Sequence, residues 1–363
     1  MPGVHQRVAE ADERPSHPEP AYQSLFSTHL LYLWAKGHVS AIAVQTLAYY
    51  ANLDGLDHPE IAKLSSMGTF GQHPGNISRD LCHYLDTWGI CTPEPTIKNI
   101  PCLDTKTGKT ITEDVAFFNP AHVVWQMHES DPKYFHSKFA TDKVGSFWAG
   151  VHPEDPKLQI LLKETGWEMA DLNRVVPLWI HGDKAEFTEH DSILDFSMGA
   201  IMNFEETLDS AFLLASFPSS CTVEGTWPAI WDDLIDGFMQ LLNGKNNDGM
   251  FLASGWKFVI WNILGDQDNH VNVFKMPHWN KACFCWDCKQ EKAEALCFKN
   301  GLPFGSRRTI AEEMESRISA HPLFKIPGVS SYNICHDAMH VLFCNGLLSR
   351  AMGCFLKRQR WRD

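Results

Sequence analysis

Arg174-Val-Val-Pro-Leu-Trp-Ile-His-Gly-Asp183 and Trp256-Lys-Phe-Val-Ile-Trp-Asn-Ile-Leu-Gly-Asp266 decide how this chain folds. Each is an apolar run rich in β-branched and aromatic residues and closed by Gly-Asp. Such a run, bounded by turn residues, reads as a buried strand. Each strand then carries a carboxylate at its C-terminal end, where α/β sheets place their active-site groups. If the strands are neighbours, Asp183 and Asp266 meet, and paired carboxylates on adjacent strand ends are what metal-assisted phosphoryl transfer requires. The plainer reading of either motif is a glycine that turns the chain and an aspartate that caps the next helix.

The residues between the two runs bear on that choice. Glu186 to Met198 reads as a second strand, with a break at His190-Asp191 left open. Ser210-Ala-Phe-Leu-Leu-Ala-Ser216 reads as a third, ending at Pro218. An amphipathic helix follows, with Trp227, Ile230, Trp231, Leu234, Ile235, Phe238, Leu241 and Leu242 on one face. Thr226 is placed to cap its start, and Gly244 with Asn246-Asn-Asp-Gly249 ends it. The order is strand, strand, strand, helix, strand, with an acid after the first and fourth strands. A right-handed crossover lets the helix return the chain parallel to the first strand and beside it. This is the element order of an RNase H-like core. The expected fold class is therefore mixed α/β (α+β), an RNase H-like core with a helical, Cys-rich insertion, behind an N-terminal helical domain.

Four segments are expected. Residues 1–20 are polar and rich in Pro, Glu and His, and read as a disordered leader. Residues 21–90 read as helical, with two short helices around the glycines at 68, 71 and 75. That pair fits a DNA-binding helix-turn-helix or a plain helical bundle, and its second helix offers only Arg79 as a cation. Residues 91–172 form a connector broken by Pro93, Pro95, Pro101, Gly108 and Pro120. It holds a turn at Thr105-Lys-Thr-Gly-Lys109 between short strands and one helix from Lys157 to Thr165. Residues 173–363 carry the core.

The bulk numbers set limits. A chain of 363 residues holds two domains or one large domain with an insertion. A formal net charge of −13 excludes a protein that simply coats nucleic acid, though not a local basic groove. The one dense basic run, Lys357-Arg-Gln-Arg-Trp-Arg362, reads as a solvated tail. Eleven cysteines without a secretory signal read as reduced thiols in a nuclear or cytoplasmic protein, not a secreted one. No stretch reaches the roughly 18 apolar residues of a membrane span. The sequence leaves a homo-oligomer open.

A second group of motifs follows Asp266. Cys285-x-x-Cys288 is half of a zinc site. Its candidate partners are Cys283, His278, Cys297 and the group Cys335-His-Asp337-Ala-Met-His340. Asp337 and His340 share a helix face. Cys285, Cys288 and His340, with Asp337 or Cys335, make four ligands suited to Zn²⁺. The plainer reading is buried thiols, with His340 on the edge of a helix that runs on through Val341 and Leu342.

Asp183, Leu264-Gly-Asp266, Cys285-x-x-Cys288 and Asp337-Ala-Met-His340 followed by Gly346 resemble, in order and placement, the DDE-type DNA transposases. The CACTA (En/Spm) group is the most similar, over residues 174–353. The resemblance implies an RNase H-like core acting on DNA, with Asp183 and Asp266 holding two Mg²⁺ ions. It places Asp337 and His340 in an insertion braced by the cysteine pair. One part of the family pattern has no counterpart. The third acid, a Glu after the Asp-x-x-His segment, is missing, because no Glu follows Glu315. Two explanations compete. The chain is a truncated or decayed copy with impaired chemistry, or Glu312, Glu313 or Glu315, on a helix from Ile310 to Ser319, supplies the acid in a different order. The second explanation describes an RNase H-like nuclease. A non-enzymatic, zinc-stabilised DNA-binding or interaction protein is the further alternative.

Overall fold

The computed structural model describes residues 24–35, 37–87, 94–188, 191–203, 210–277, 281, 309–315 and 321–335. The protein is mixed α and β, in two compact units, Met1–Thr92 and Pro93–Asp363. His278, Cys283, Cys285, Cys288, Cys297, Asp337 and His340 lie outside the described residues, and with them most of the expected zinc set.

The first unit is helical: α1 (Leu25–Ala35), α2 (Ala41–Leu53), α3 (Pro59–Ser65), α4 (Met67–Phe70) and α5 (Pro74–Thr87). Ser40 caps α2 by accepting from the Ala43 N–H. Leu30, Val44, Ala48, Ile61, Leu64, Ile77 and Leu81 form the core. The glycine-bearing turn is tight. Gly68 has φ +57, and a Cβ there would stand 2.6 Å from Ile77 Cγ1. The Gly68 N–H donates to Asp80 Oδ2 at 2.9 Å. That bond, followed by the Arg79 guanidinium, holds the Asp80 carboxyl below its ordinary value. Arg79, the one cation this helix offers, is itself ion-paired to Asp80 at 2.9 Å within the same helix.

The second unit is built on a four-stranded sheet of β3 (Val175–Thr188), β4 (Asp191–Ala200), β5 (Phe212–Pro218) and β6 (Lys257–Gly265), in the order β5-β4-β3-β6. The first three strands form an antiparallel meander, and β6 lies parallel to β3. The crossover is the amphipathic helix α10 (Thr226–Asn243), whose Ile230, Trp231, Leu234, Phe238, Leu241 and Leu242 are buried. Phe258, Val259, Ile260 and Trp261 are all buried, as a strand covered on both faces requires. Ile334 makes a parallel bridge to Ile263 on the outer edge of β6, where the Cys335 N–H donates to the Ile263 carbonyl at 2.9 Å.

The residues read as a connector pack into the same core. They form β1 (Thr96–Asp104) and β2 (Lys109–Phe117), a hairpin about the expected turn, then α6 (Pro120–Ser130), α7 (Pro132–Lys138), α8 (Lys143–Gly150) and α9 (Pro156–Thr165). The expected single helix is therefore joined by three others. Each of the first two starts on a proline behind a capping Asn119 or Asp131, a start that fixes φ without sacrificing a hydrogen bond. Trp148 of α8 donates from Nε1 to the Val175 carbonyl at 2.7 Å, which fastens α8 to β3.

Three local expectations change. Glu186 to Met198 is not one strand: β3 runs on to Thr188 and β4 begins at Asp191, so the break is a hairpin. Asp183 consequently lies inside β3 and not at its end. Thr226 does not cap α10, since Gly225 holds that position without a side-chain bond. Instead the buried Thr226 hydroxyl donates to the Pro101 carbonyl at 2.6 Å and accepts from the Val223 N–H at 2.9 Å, tying the helix to the β1–β2 hairpin.

Candidate functional site

The parallel register of β3 and β6 ends with Gly182 opposite Gly265, so Asp183 and Asp266 follow paired residues on neighbouring strands. Asp183 is exposed and accepts the N–H of Lys184 on Oδ1 at 2.8 Å. Asp266 leaves the sheet with φ −77 and ψ 172 and caps α11 (Gln267–Asn272), accepting the Asn269 N–H on Oδ1 at 2.7 Å. The capping reading of Asp266 therefore holds in the structure. It occupies one carboxylate oxygen and fixes the orientation of the other.

Asn269 explains why both motifs contain glycine. A Cβ on Gly182 would lie 2.5 Å from Asn269 Nδ2, and one on Gly265 would lie 2.7 Å from the same atom. The Gly265 Cβ would also stand 2.8 Å from the Gly182 carbonyl oxygen. The side chain of Asn269 thus fills the notch that two absent side chains leave. It is 4% exposed, and neither its Oδ1 nor its Nδ2 has a hydrogen-bond partner. Buried amides are nearly always paired, so this one is an exception that needs a reason.

A third carboxylate stands nearby on the sheet. Asp195 of β4 is the register partner of Asp183, and residues directly opposite on antiparallel strands project from the same face. Its Oδ1 is buried without a hydrogen-bond partner. Neither Asp195 nor Asn269 was named from the sequence. The signal for Asp195 was the alternation from Ser192 to Met198, legible once the hairpin is placed; Asn269 had none beyond its position three residues after Asp266.

The glutamates considered for the third acid have other tasks. Glu312 and Thr309 form a reciprocal cap at the start of α12 (Ile310–Glu315). The Thr309 N–H donates to Glu312 Oε2 at 2.9 Å, and the Glu312 N–H donates to Thr309 Oγ1 at 3.3 Å. Glu313 is fully buried and accepts the Ser331 N–H at 2.8 Å. Two residues on, Asn333 donates to the carbonyls of Ile260 and Trp261. That anchors this region to the middle of β6, about 17 Å of strand from Asp266 at about 3.3 Å per residue. The side chain of Glu315 is outside the described residues, as are residues 316–319 of the expected helix.

The cysteines among the described residues are free thiols: Cys82, Cys102, Cys221 and Cys335. Burial pushes the Cys335 thiol up and the neighbouring Lys157 ammonium down from their ordinary values. Among the described residues no three His, Cys, Asp or Glu side chains converge as a metal site, and no helix is long and apolar enough to cross a membrane. What the geometry provides is Asp183 inside β3, Asp266 capping α11 just past the end of the neighbouring β6, Asp195 opposite Asp183, and the buried carboxamide of Asn269 against Gly182 and Gly265. Neither the family models nor the curated proteins nor the solved structures contain a match to this chain.

Proposed function

We propose that the second unit is an RNase H-like core of transposase descent, and that Asp183 and Asp266 bind a divalent cation for phosphoryl transfer on DNA. The observation that carries the reading is the register of Gly182 with Gly265, which makes Asp183, inside β3, and Asp266, the first residue past the end of β6, the next residues on neighbouring parallel chain segments. The sheet order supports it as well. An antiparallel meander, a helical crossover and a parallel fourth strand follow the order read from the sequence.

One observation favours a divalent cation: Asp195, the register partner of Asp183, presents a buried oxygen without a partner. Asp183 and Asp266 would hold Mg²⁺. The bound ion would supply an activated hydroxyl nucleophile and neutralise charge on the phosphate. The chain's own contributions are definite. The Asn269 N–H fixes one oxygen of Asp266, the rigid sheet sets the spacing of the two strands, and exposed Asp183 faces the solvent from which DNA arrives.

The test is calorimetric titration of the full chain with Mn²⁺, for the wild type, Asp183→Asn and Asp266→Asn, paired with Mn²⁺-dependent nicking of duplex DNA. The reading expects binding that either substitution weakens at least tenfold, with nicking lost in parallel. Wild-type protein that binds no Mn²⁺, or binding indifferent to both substitutions, would refute it.

A further inference from the structure

The buried carboxamide of Asn269 is the feature that packing leaves unexplained. Its backbone N–H holds the Asp266 carboxylate at 2.7 Å, and its side chain seats against Gly182 and Gly265 together. An apolar side chain of the same shape, leucine, would fill the notch without burying two polar atoms. Both of those atoms stand without a hydrogen-bond partner in a residue 4% exposed. Leaving buried donors and acceptors unpaired is destabilising, and a polar residue retained in such a place commonly serves function rather than stability.

We propose that Asn269 is a positioning residue for the Asp266 carboxylate, and that its carboxamide gains a hydrogen-bond partner when the carboxylate pair holds a divalent cation. The inference rests on the cation reading of Asp183 and Asp266. It adds that the group tuning the pair lies in the notch between the strands, not in the solvent-facing acids. Through one residue the notch is coupled to the site. The carboxamide fixes where the first turn of α11 sits against the sheet, and that turn carries the N–H that orients Asp266.

Asn269→Leu keeps the shape and removes the polar atoms, and Asn269→Ser keeps a small polar group while vacating the notch. Mn²⁺ affinity by calorimetry and thermal melting in EDTA are measured for the full chain in all three forms. The expected result is that Asn269→Leu melts higher than the wild type in EDTA yet binds Mn²⁺ at least tenfold more weakly. Asn269→Ser is expected to lose affinity as well, and it carries the test if the leucine variant does not fold. Wild-type affinity in either folded variant overturns the proposal while leaving the cation reading intact. A wild type that binds no Mn²⁺ removes both, so the two failures are told apart by the unsubstituted protein alone.

Discussion

The Nδ2 atom of Asn269 occupies the space that a Cβ of Gly182 would need, at 2.5 Å from where that Cβ would stand. Phe196 Cε1 closes the other side at 2.6 Å. Neither neighbour is an exposed flexible tip, because Phe196 and Asn269 are both buried. Gly182→Ala should therefore cost about 1–3 kcal/mol, the usual range for overpacking a filled interior. Asn269→Ala in the same chain should recover part of that loss, since it vacates one of the two obstructing groups. Urea denaturation of the single and double variants measures the coupling, and strictly additive losses would contradict the contact.

Thr226 ties α10 to the β1–β2 hairpin through its buried hydroxyl. Thr226→Val preserves the shape and removes both bonds, leaving the Pro101 carbonyl without its donor. A loss of about 1–3 kcal/mol is expected, while Thr226→Ser, which keeps the hydroxyl, should lose less. The two are compared by denaturant midpoint at constant slope. A larger loss in Thr226→Ser than in Thr226→Val would place the role of Thr226 in its methyl group.

What the sequence revealed and what it hid follow physical lines. The apolar run from Phe258 to Leu264 and the stripe from Trp227 to Leu242 are long, periodic and buried, so local pattern and tertiary burial agree. The end of β3 is different. Lys184, Ala185 and Glu186 are exposed, with no apolar run to mark a strand, and they pair with β4 only because the hairpin closes. Helices α6 to α8 are short, the first two are proline-initiated, and their burial comes from the sheet they cover rather than from a strong stripe of their own. Within the site, the two Gly-Asp motifs were legible because each closes an apolar run, although turn and cap roles compete for the same residues, and Asp266 does cap a helix. The Asp183–Asp195 pairing depends on a register that a two-residue shift of the turn would change. Asn269 becomes notable only when Gly182 and Gly265 are adjacent in space.

His321 gives the protein a dependence on acid. Burial, and then the charge of Lys275, lower its imidazole from an ordinary 6.5 to about 4. Its Nδ1 accepts the Leu323 N–H at 3.2 Å, which requires the neutral ring. The unfolded chain binds a proton here below pH 6.5, whereas the folded chain does so only near pH 4. Stability is therefore intact above pH 6.5 and falls as the pH drops toward 4, with no further loss from this group below that. The slope approaches about 1.4 kcal/mol per pH unit, for a total of about 3 kcal/mol. Urea midpoints between pH 4 and 7 for the wild type and His321→Gln measure it. The variant should show a shallower decline, and identical slopes would assign the acid sensitivity to other groups.

Asp183 and Asp195 face each other across the β3–β4 pair, and like charges directly opposite on a sheet are destabilising. Asp195 bears the larger burden, with one carboxylate oxygen buried and unpartnered. Asp195→Asn keeps the shape, removes the repulsion and supplies a donor. In EDTA it should raise stability by about 0.2–1 kcal/mol, read from urea midpoints. Under the cation reading, Mn²⁺ neutralises the pair in the wild type, so the advantage of the variant should shrink as Mn²⁺ is added. An advantage of constant size at all Mn²⁺ concentrations would mean that the charge of Asp183 is not the one the cation meets. A variant less stable than the wild type in EDTA would mean that the Asp195 carboxylate is held by favourable contacts that outweigh the repulsion.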